Sequence, residues 1–123
     1  MDLLYKDETY KIIGACMEVH RELGKGFTEI VYADALSVEF NRVEINYLKE
    51  VRFDICYKGV LLPHFYKADF VIDDKIILEI KAIEDLTSSH IKQTLNYLAA
   101  SKLKLGLLVN FGKDSLQYKR IVL

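Results

Sequence analysis

The stretch from Lys67 to Lys81 constrains the fold of this chain more than any other. Two runs of β-branched and apolar residues are separated there by the polar segment Asp73-Asp74-Lys75. Apolar runs on either side of a short polar turn are typical of a β-hairpin. We therefore expect two neighbouring antiparallel strands in this part of the chain.

Alternation along these strands predicts a polar face. Successive side chains of a strand point to opposite faces of a sheet. Asp69 should therefore share a face with Val71 and Asp73, and Glu79 should share one with Lys81. The opposite face is predicted to be apolar, with Ala68, Phe70 and Ile72 on the first strand and Ile76, Leu78 and Ile80 on the second.

Two carboxylates and an ammonium group on one face suggest a metal site. A hard divalent cation prefers oxygen ligands, which Asp69 and Glu79 supply. A lysine beside such an ion can orient a nucleophile or offset developing negative charge. The structural alternative is a pair of exposed carboxylates that Lys81 merely neutralises through a salt bridge.

These residues carry a resemblance to a known superfamily. Asp69 followed on the next strand by Glu79-x-Lys81 resembles the core of the PD-(D/E)xK nucleases, although Ala68 stands where that name has a proline. Residues 26–32 fit the pattern G-x-x-E-x-x-Y, so the chain is identified as a member of the GxxExxY protein family. Further segments that fit are 19–24, 90–93, 96–98 and 110–112, and the resemblance runs from about Tyr10 to Ile121.

The resemblance implies an α/β fold with an αβββαβ core, in which a mixed central sheet is flanked by helices. It also implies a metal-dependent nuclease that hydrolyses phosphodiester bonds, with DNA favoured over RNA as the substrate. Asp69, Glu79 and the backbone carbonyl of Ile80 would bind Mg²⁺ or Mn²⁺. Lys81 would be the catalytic lysine that positions the attacking water.

Glu29 is a further candidate ligand and catalytic residue. In related nucleases an upstream helical glutamate often reaches the metal, and Glu29 shares a helix face with Tyr32 three positions later. A carboxylate at the start of a helix also complements the helix dipole, which is a complete structural explanation. Tyr32 would either hydrogen-bond a site carboxylate or fill the core.

Gln93 and Tyr97 are also candidate catalytic residues. They lie four positions apart on a predicted helix and therefore face the same way. The pair resembles the Q-x-x-x-Y element of RecB-type nucleases, which lies beside the active site. The alternative is a packing tyrosine and a solvent-facing glutamine.

Two histidines and an asparagine have weaker patterns. His90 would either contact a phosphate or serve the start of a helix. His20 would brace the loop before Glu29 or interact with the end of its own helix. Asn110 precedes Phe111-Gly112 and is expected to form local hydrogen bonds in a turn.

Periodicity predicts the order of the elements. Helices are expected from about Asp7 or Thr9 to Gly24, from about Thr28 to Phe40, and from Thr87 or Ser88 to about Ser101. Strands are expected at 51–57, 60–62, 66–72, 76–81, 105–109 and 116–122. The strand after the third helix should lie beside the Glu79 strand through a right-handed crossover.

Composition fits one domain over residues 1–123. The net charge is −1, but residues 87–123 carry six basic groups and one acidic group. This basic segment would suit a polyanion if it lay beside the acidic site, or it is an ordinary solvated surface. Cys16 and Cys56 are expected to be buried free thiols of a cytoplasmic protein, since no signal peptide or membrane span is recognisable.

An alternative to catalysis remains open at this point. The same fold could act as a binding or assembly module, or as a nuclease that cleaves only when a partner supplies the target. A nuclease of this size would gain affinity for nucleic acid by forming a homodimer or by binding a protein partner. Retention of Asp69, Glu79 and Lys81 favours the enzyme.

Overall fold

The computed structural model describes residues 3–123, so the first two residues of the expected 1–123 domain lie outside it. Its elements in chain order are α1 (Lys6–Leu23), α2 (Glu29–Arg42), β1 (Tyr47–Tyr57), β2 (Val60–Ile72), β3 (Ile76–Lys81), α3 (Ser88–Ser101), β4 (Leu105–Asn110) and β5 (Gln117–Val122). The segment from α2 to β4 has the expected αβββαβ order. The α/β fold class predicted from the sequence is therefore confirmed.

The strands form one mixed sheet in the order β1-β2-β3-β4-β5. β3 and β4 are parallel, from the pair Ile76–Leu105 to the pair Lys81–Asn110. The other neighbouring strands are antiparallel. The strand after α3 therefore lies beside the Glu79 strand, as the sequence predicts.

Helices cover both faces of the sheet. The cluster on one face joins α1 and α2 to strand residues such as Phe70 and Leu78. The cluster on the other face joins α3 to residues such as Ile77 and Leu108. All six residues of β4 are buried, as expected for a strand covered on both sides. Within residues 3–123, no helix combines the length and apolar character that crossing a membrane requires.

β2 is longer than the sequence pattern indicates. The runs predicted as separate strands at 60–62 and 66–72 form one strand that passes through Pro63. The register between β1 and β2 shifts between Asp54 and Cys56, opposite this part of β2. Irregular pairing of this kind accommodates a proline, which has no N–H to donate to the ladder.

Alternation fails at one position beside the predicted polar face. The sequence predicts Ala68 on the face of Phe70, and this prediction is wrong, because Ala68 packs with Val71 in the cluster under α3. Glu50, which the register places opposite Asp69, has a left-handed backbone with φ of 53°. A left-handed residue within a strand interrupts the regular pleat of the pair.

β2 and β3 separate just before the predicted site. They pair only from Phe70–Leu78 to Ile72–Ile76, next to the turn that joins them. Beyond these pairs β2 continues along β1, whereas β3 continues along β4 as far as Lys81. Asp69 is the first residue of β2 beyond the pairing with β3. It therefore lies where the two strands begin to diverge.

The far end of the β1–β2 hairpin, residues 54–65, forms an arm with little cover from the helices. Its exposed large apolar residues are Tyr57, Val60, Leu61, Leu62 and Phe65. Cys56 lies on this arm and is exposed, whereas Cys16 is fully buried. The expectation that both thiols are buried is therefore wrong for Cys56, because the apolar pattern around it belongs to a ribbon with no layer packed over it.

Candidate active site

The Asp69 side chain connects β2 to β3 at the point where the two strands diverge. Its Oδ2 accepts a hydrogen bond of 2.8 Å from the backbone N–H of Ile80. In an extended strand the N–H and C=O of one residue point to the same side. The Ile80 carbonyl therefore faces the same gap as the Asp69 carboxyl group, where β2 no longer supplies ladder partners.

Glu79 is the most unusual side chain in this gap. It is 3% exposed, and its Oε1 is buried without a hydrogen-bond partner among the described residues. Burial, followed by the hydrogen bond and the charge of the neighbouring Asp69 carboxyl, raises the pKa of the Glu79 carboxyl from 4.5 to about 10, and Lys81 opposes the shift. A buried, unsatisfied carboxylate is costly, so the free protein keeps this group protonated at neutral pH.

A divalent cation fits these residues. A cation would give the unsatisfied Oε1 of Glu79 a partner and would offset the repulsion between the two carboxylates. The donors at the gap are oxygens of Asp69, Glu79 and the Ile80 carbonyl. Oxygen donors suit Mg²⁺ and Mn²⁺ rather than metals that prefer sulfur.

Lys81 reaches from the end of β3 to α3. Its Nζ donates a 3.0 Å hydrogen bond to Oε1 of Gln93. Among the described residues, Lys81 forms no ion pair within 4.0 Å, so the simple neutralising salt bridge to Glu79 or Asp69 is not formed. The ammonium is thus held beside the carboxylates by a neutral partner.

Tyr97 lies against the same carboxylates. It is 9% exposed and packs edge-on against Tyr66, with ring centroids 5.5 Å apart. Burial, followed by the charges of Glu79 and Asp69, raises the pKa of its hydroxyl from 10.0 to about 12. The structure therefore brings together Asp69, Glu79, Lys81, Gln93 and Tyr97, with Tyr97 as a protonated hydrogen-bond donor.

Glu29 is not brought to this group. It is exposed at the first position of α2. Within residues 3–123, no three His, Cys, Asp or Glu side chains converge closely enough to hold a metal ion. The expectation of a third carboxylate at the metal is therefore not met in this structure. The place of Glu29 in the first turn complements the helix dipole.

Tyr32, the last residue of the G-x-x-E-x-x-Y pattern, is part of the core. Its ring is fully buried and stacks on Phe111 with a centroid distance of 4.6 Å. Its hydroxyl donates a 2.6 Å hydrogen bond to the carbonyl of Gly24 and accepts one of 3.3 Å from the N–H of Phe27. Of the two roles considered for Tyr32, the structure shows the packing role.

Asn110 fixes the loop that follows Lys81. Its buried amide accepts hydrogen bonds from the N–H groups of Ile83 and Gly112, and donates to the Ile83 carbonyl and to Gln117. The sequence indicated only local hydrogen bonds for Asn110. The bonds to Ile83 instead join residues that are 27 positions apart, at the ends of the neighbouring parallel strands β3 and β4. The only signal for them in the sequence is the position of Asn110 at the end of a predicted buried strand.

The two candidate histidines serve the scaffold. His20 Nε2 is hydrogen-bonded to the Lys113 carbonyl at 2.8 Å, which links the end of α1 to the loop after β4. His90 Nδ1 accepts a 2.9 Å hydrogen bond from the Thr87 N–H at the start of α3. His90 is therefore part of a helix cap.

Three basic residues in the last third of the chain lie at the other end of the sheet or have partners outside the carboxylate pair. Lys104 precedes β4, at the end opposite to Lys81, because Leu105 pairs with Ile76 at the beginning of β3. Lys113 forms an ion pair with Asp85. The guanidinium of Arg120 is bound to the Thr9 side chain and to the Leu4 carbonyl. The expected basic face beside the carboxylates is therefore not assembled from these three side chains.

Comparison with known proteins agrees with this fold. The model of the PD-(D/E)XK nuclease superfamily matches residues 6–121. No curated protein matches the chain. Four solved chains match, and one is the crystal structure of SSO0001, which is 21% identical with a TM-score of 0.62. That alignment covers 96% of this chain and 59% of SSO0001, and at this low identity it supports the fold alone.

Proposed function

Because this chain belongs to the PD-(D/E)XK nuclease superfamily, we propose that it hydrolyses phosphodiester bonds with a divalent metal ion held at Asp69 and Glu79. A nucleic acid substrate is what the superfamily implies, and we propose DNA in preference to RNA. The observation that carries the proposal is Oε1 of Glu79, which lies beside a second carboxyl group and is buried without a hydrogen-bond partner from residues 3–123.

The proposed ligands are Asp69, Glu79 and the backbone carbonyl of Ile80, with Mg²⁺ or Mn²⁺ as the ion. When bound, such an ion polarises the scissile phosphate and lowers the pKa of a coordinated water. Glu79 must lose its proton before it can serve as a ligand, because only the carboxylate coordinates a metal. Asp69 keeps its orientation through the bond from the Ile80 N–H.

Lys81 is proposed to orient the attacking water and to stabilise the negative charge that develops on the phosphate oxygens. Its long side chain has many rotamers in isolation. The hydrogen bond to Gln93 selects a position beside the two carboxylates. Gln93 is therefore proposed as a residue that positions Lys81.

Tyr97 is proposed to donate a hydrogen bond to the nucleic acid backbone. Its raised pKa keeps the hydroxyl protonated across the pH range in which a nuclease works. A phosphate oxygen accepts such a bond readily. The contact would position the strand without reading its sequence.

A cytoplasmic location belongs to the proposal as well. Cys16 and Cys56 are both free thiols, and Cys56 is exposed. An exposed unpaired thiol is more typical of a reducing compartment than of an oxidising one.

Cleavage assays on defined substrates test the proposal. Single-stranded, duplex and branched DNA, and matching RNA, would be incubated with Mg²⁺ or Mn²⁺. Wild type would be compared with Asp69→Asn and Lys81→Met. Asp74→Asn, in the exposed turn of the same hairpin, and Lys92→Met, on the exposed side of α3, are matched controls.

The proposal predicts metal-dependent cleavage by wild type and by both controls. Asp69→Asn and Lys81→Met should each lose at least about 100-fold in rate, as expected for the removal of a transition-state contact. Metal binding without cleavage of any substrate would instead favour the binding module or the partner-dependent nuclease. Equal rates in Asp69→Asn and wild type would refute the assignment of the site.

A further inference from the structure

β1 is an edge strand with an open side. The sheet order ends at β1, so its eleven residues pair with β2 on one side only. An edge of this length exposes backbone N–H and C=O groups to any strand that can pair with them. The arm that continues from β1 also exposes large apolar side chains, including Tyr57, Val60 and Phe65. An isolated two-stranded ribbon is at best marginally stable in water.

We propose that two copies of this chain pair through their β1 edges, antiparallel, about a two-fold axis that passes beside Phe53. The proposal goes beyond the nuclease function and does not depend on it. A closed two-fold interface uses the same surface of both copies, so β1 must be complementary to itself. The charges of β1 allow that condition to be examined residue by residue.

The regular part of the edge lies between two left-handed positions, Glu50 and Lys58. When two edge strands pair to form one continuous sheet, the two-fold axis that relates them stands perpendicular to that sheet. The same face of each copy then lies on the same side of the joined sheet. Residues that lie opposite each other must therefore both be odd-numbered or both be even-numbered, because side chains alternate. The axis then passes beside one residue, and each choice of this residue fixes every opposing pair.

Charge distinguishes between the four central positions for the axis, which are Arg52, Phe53, Asp54 and Ile55. An axis at Arg52 places Arg52 opposite itself and Glu50 opposite Asp54. An axis at Asp54 places that carboxylate opposite itself, and an axis at Ile55 places Arg52 opposite Lys58. Like charges directly opposite each other destabilise a strand pair.

An axis at Phe53 brings opposite charges together. Arg52 then lies opposite Asp54 of the second copy, and Val51 lies opposite Ile55. Arg52 and Asp54 already form an ion pair of 2.8 Å within one chain, so the pairing would create a group of four charges that alternate in sign. The guanidinium carbon Cζ of Arg52 also lies 3.8 Å from the centroid of the Phe65 ring, and this contact helps to fix the Arg52 side chain over the arm.

The pairing has a consequence for the candidate sites. The two-fold axis keeps the faces of the sheet, and α3 packs on one face of each copy. Both groups of Asp69, Glu79 and Lys81 would then open on the same side of the joined sheet. The strand pairing would also remove the open backbone edge of β1 from solvent. The charged side chains of β1 alone protect this edge only incompletely against pairing with other strands.

Charge exchange tests the interface without any nuclease measurement. Arg52→Asp places carboxylates opposite one another, and Asp54→Arg places guanidinium groups opposite one another. Wild type should sediment at about twice the chain mass of 14.2 kDa. Each single variant should sediment at the chain mass at the same concentration, with an unchanged circular dichroism spectrum. An equimolar mixture of the two variants, and the double variant R52D/D54R, should return to twice the chain mass.

Disulfide trapping tests the position of the axis. In a Cys56→Ser background, Phe53→Cys places two thiols across the axis, where opposing Cβ atoms are about 4.5–5.5 Å apart. This separation is compatible with a disulfide after a small adjustment. Val51→Cys in the same background is the matched control, because its copies are about 13 Å apart along the strands. Phe53→Cys should form a covalent dimer under mild oxidation, and Val51→Cys should not.

Three results would overturn the proposal. Wild type that stays a monomer at high micromolar concentration would leave the edge free for an extended segment of another protein. Variants with exchanged charges that remain dimers would place the interface elsewhere. Failure of the two single variants to associate with each other, although both are folded, would reject the pairing of Arg52 with Asp54.

Discussion

Glu79 shows how a candidate functional site can lower the stability of the fold. Its carboxyl group is buried in the gap between β2 and β3 with one oxygen unsatisfied. Its pKa of about 10 means that folding retains a proton on Glu79 that the unfolded chain releases above its ordinary pKa of 4.5. A side chain selected for stability alone would not be ionisable at this position.

Glu79→Gln should therefore stabilise the metal-free protein as pH rises. The folded pKa is raised, so the stability linked to the proton is complete below about pH 4.5 and is lost as pH rises toward 10. Glutamine occupies the same volume without that loss. In urea unfolding with a chelator, we expect similar stability at pH 4 and an advantage of about 1–3 kcal/mol for the variant at pH 8. A difference that does not change with pH would argue against a buried proton.

Gln93 allows a separate test of the lysine. Gln93→Met keeps the length of the side chain but removes the acceptor for Lys81. We expect kcat to fall about 10–100-fold, because a misplaced catalytic group loses its alignment, while metal affinity stays near that of wild type. Gln93→Glu should retain most activity, since it still accepts from Lys81. Asn96→Met on the exposed side of α3 is the control, and an equal loss in it would assign the effect to the helix instead.

At the residue scale the sequence predicted what depends on local geometry. Glu79 and Lys81 share a face because strands alternate, and Gln93 and Tyr97 point the same way because they are four apart on a helix. Among the described residues Glu29 does not join Asp69 and Glu79, because its position depends on how α2 lies on the sheet, which no local pattern encodes. Ala68 failed because the left-handed Glu50 interrupts the alternation beside it.

The loops that follow β3 and β4 are joined into one unit by backbone contact. Gly112 lies so close to Ile83 that an added Cβ would collide with its backbone N and O atoms. Asn110 spans the same two loops with its amide. Because the first of these loops follows Lys81 directly, its fixed path helps to fix the end of β3.

Gly112→Ala should therefore be strongly destabilising. The backbone of Ile83 must move to make room, and we expect a loss of about 2–4 kcal/mol. Gly14→Ala in α1 is the matched control, because apart from the helix's own backbone no atom of residues 3–123 lies within 4 Å of an added Cβ. That change should instead stabilise by about 0.5–1 kcal/mol, since alanine favours the helix. Thermal and urea unfolding of both variants would measure the difference, and similar effects would contradict the close approach.

Tyr32→Phe separates the packing role from a role in the site. The ring that stacks on Phe111 remains, while the bond to the Gly24 carbonyl is lost. We expect a loss of about 0.5–1.5 kcal/mol in unfolding free energy. Metal affinity and cleavage should stay within about twofold of wild type, and a much larger loss of activity without a loss of stability would place the hydroxyl in the site.

At the element scale the sequence predicted every helix and most strands, because periodicity and capping residues are local signals. α3 begins at Ser88 after Thr87, as its capping pattern indicated. The arm was missed as a structure, since an apolar strand pattern does not reveal whether anything packs over it. Cys56 was placed in the core for the same reason.

At the scale of the whole molecule, the candidate site lies where two halves of one sheet separate. β2 leaves β3 after the pair Phe70–Leu78 and carries Asp69 away with the arm, while β3 carries Glu79 and Lys81 along β4. If two copies pair through their β1 edges, the half of the sheet that contains β1 and β2 would continue into the second copy. The order of elements was predictable from the sequence, but the separation of the strands was not, since it depends on which neighbour each strand follows.

Binding of Mn²⁺ or Mg²⁺ measured by calorimetry tests the central claim most directly. Titrations at pH 8 in two buffers with different ionisation enthalpies give both the affinity and the number of protons released. Wild type should bind with release of close to one proton from Glu79, and Asp69→Asn should lose most of the affinity while Asp74→Asn retains it. Absence of binding, or equal binding by wild type and Asp69→Asn, would contradict a metal site between β2 and β3.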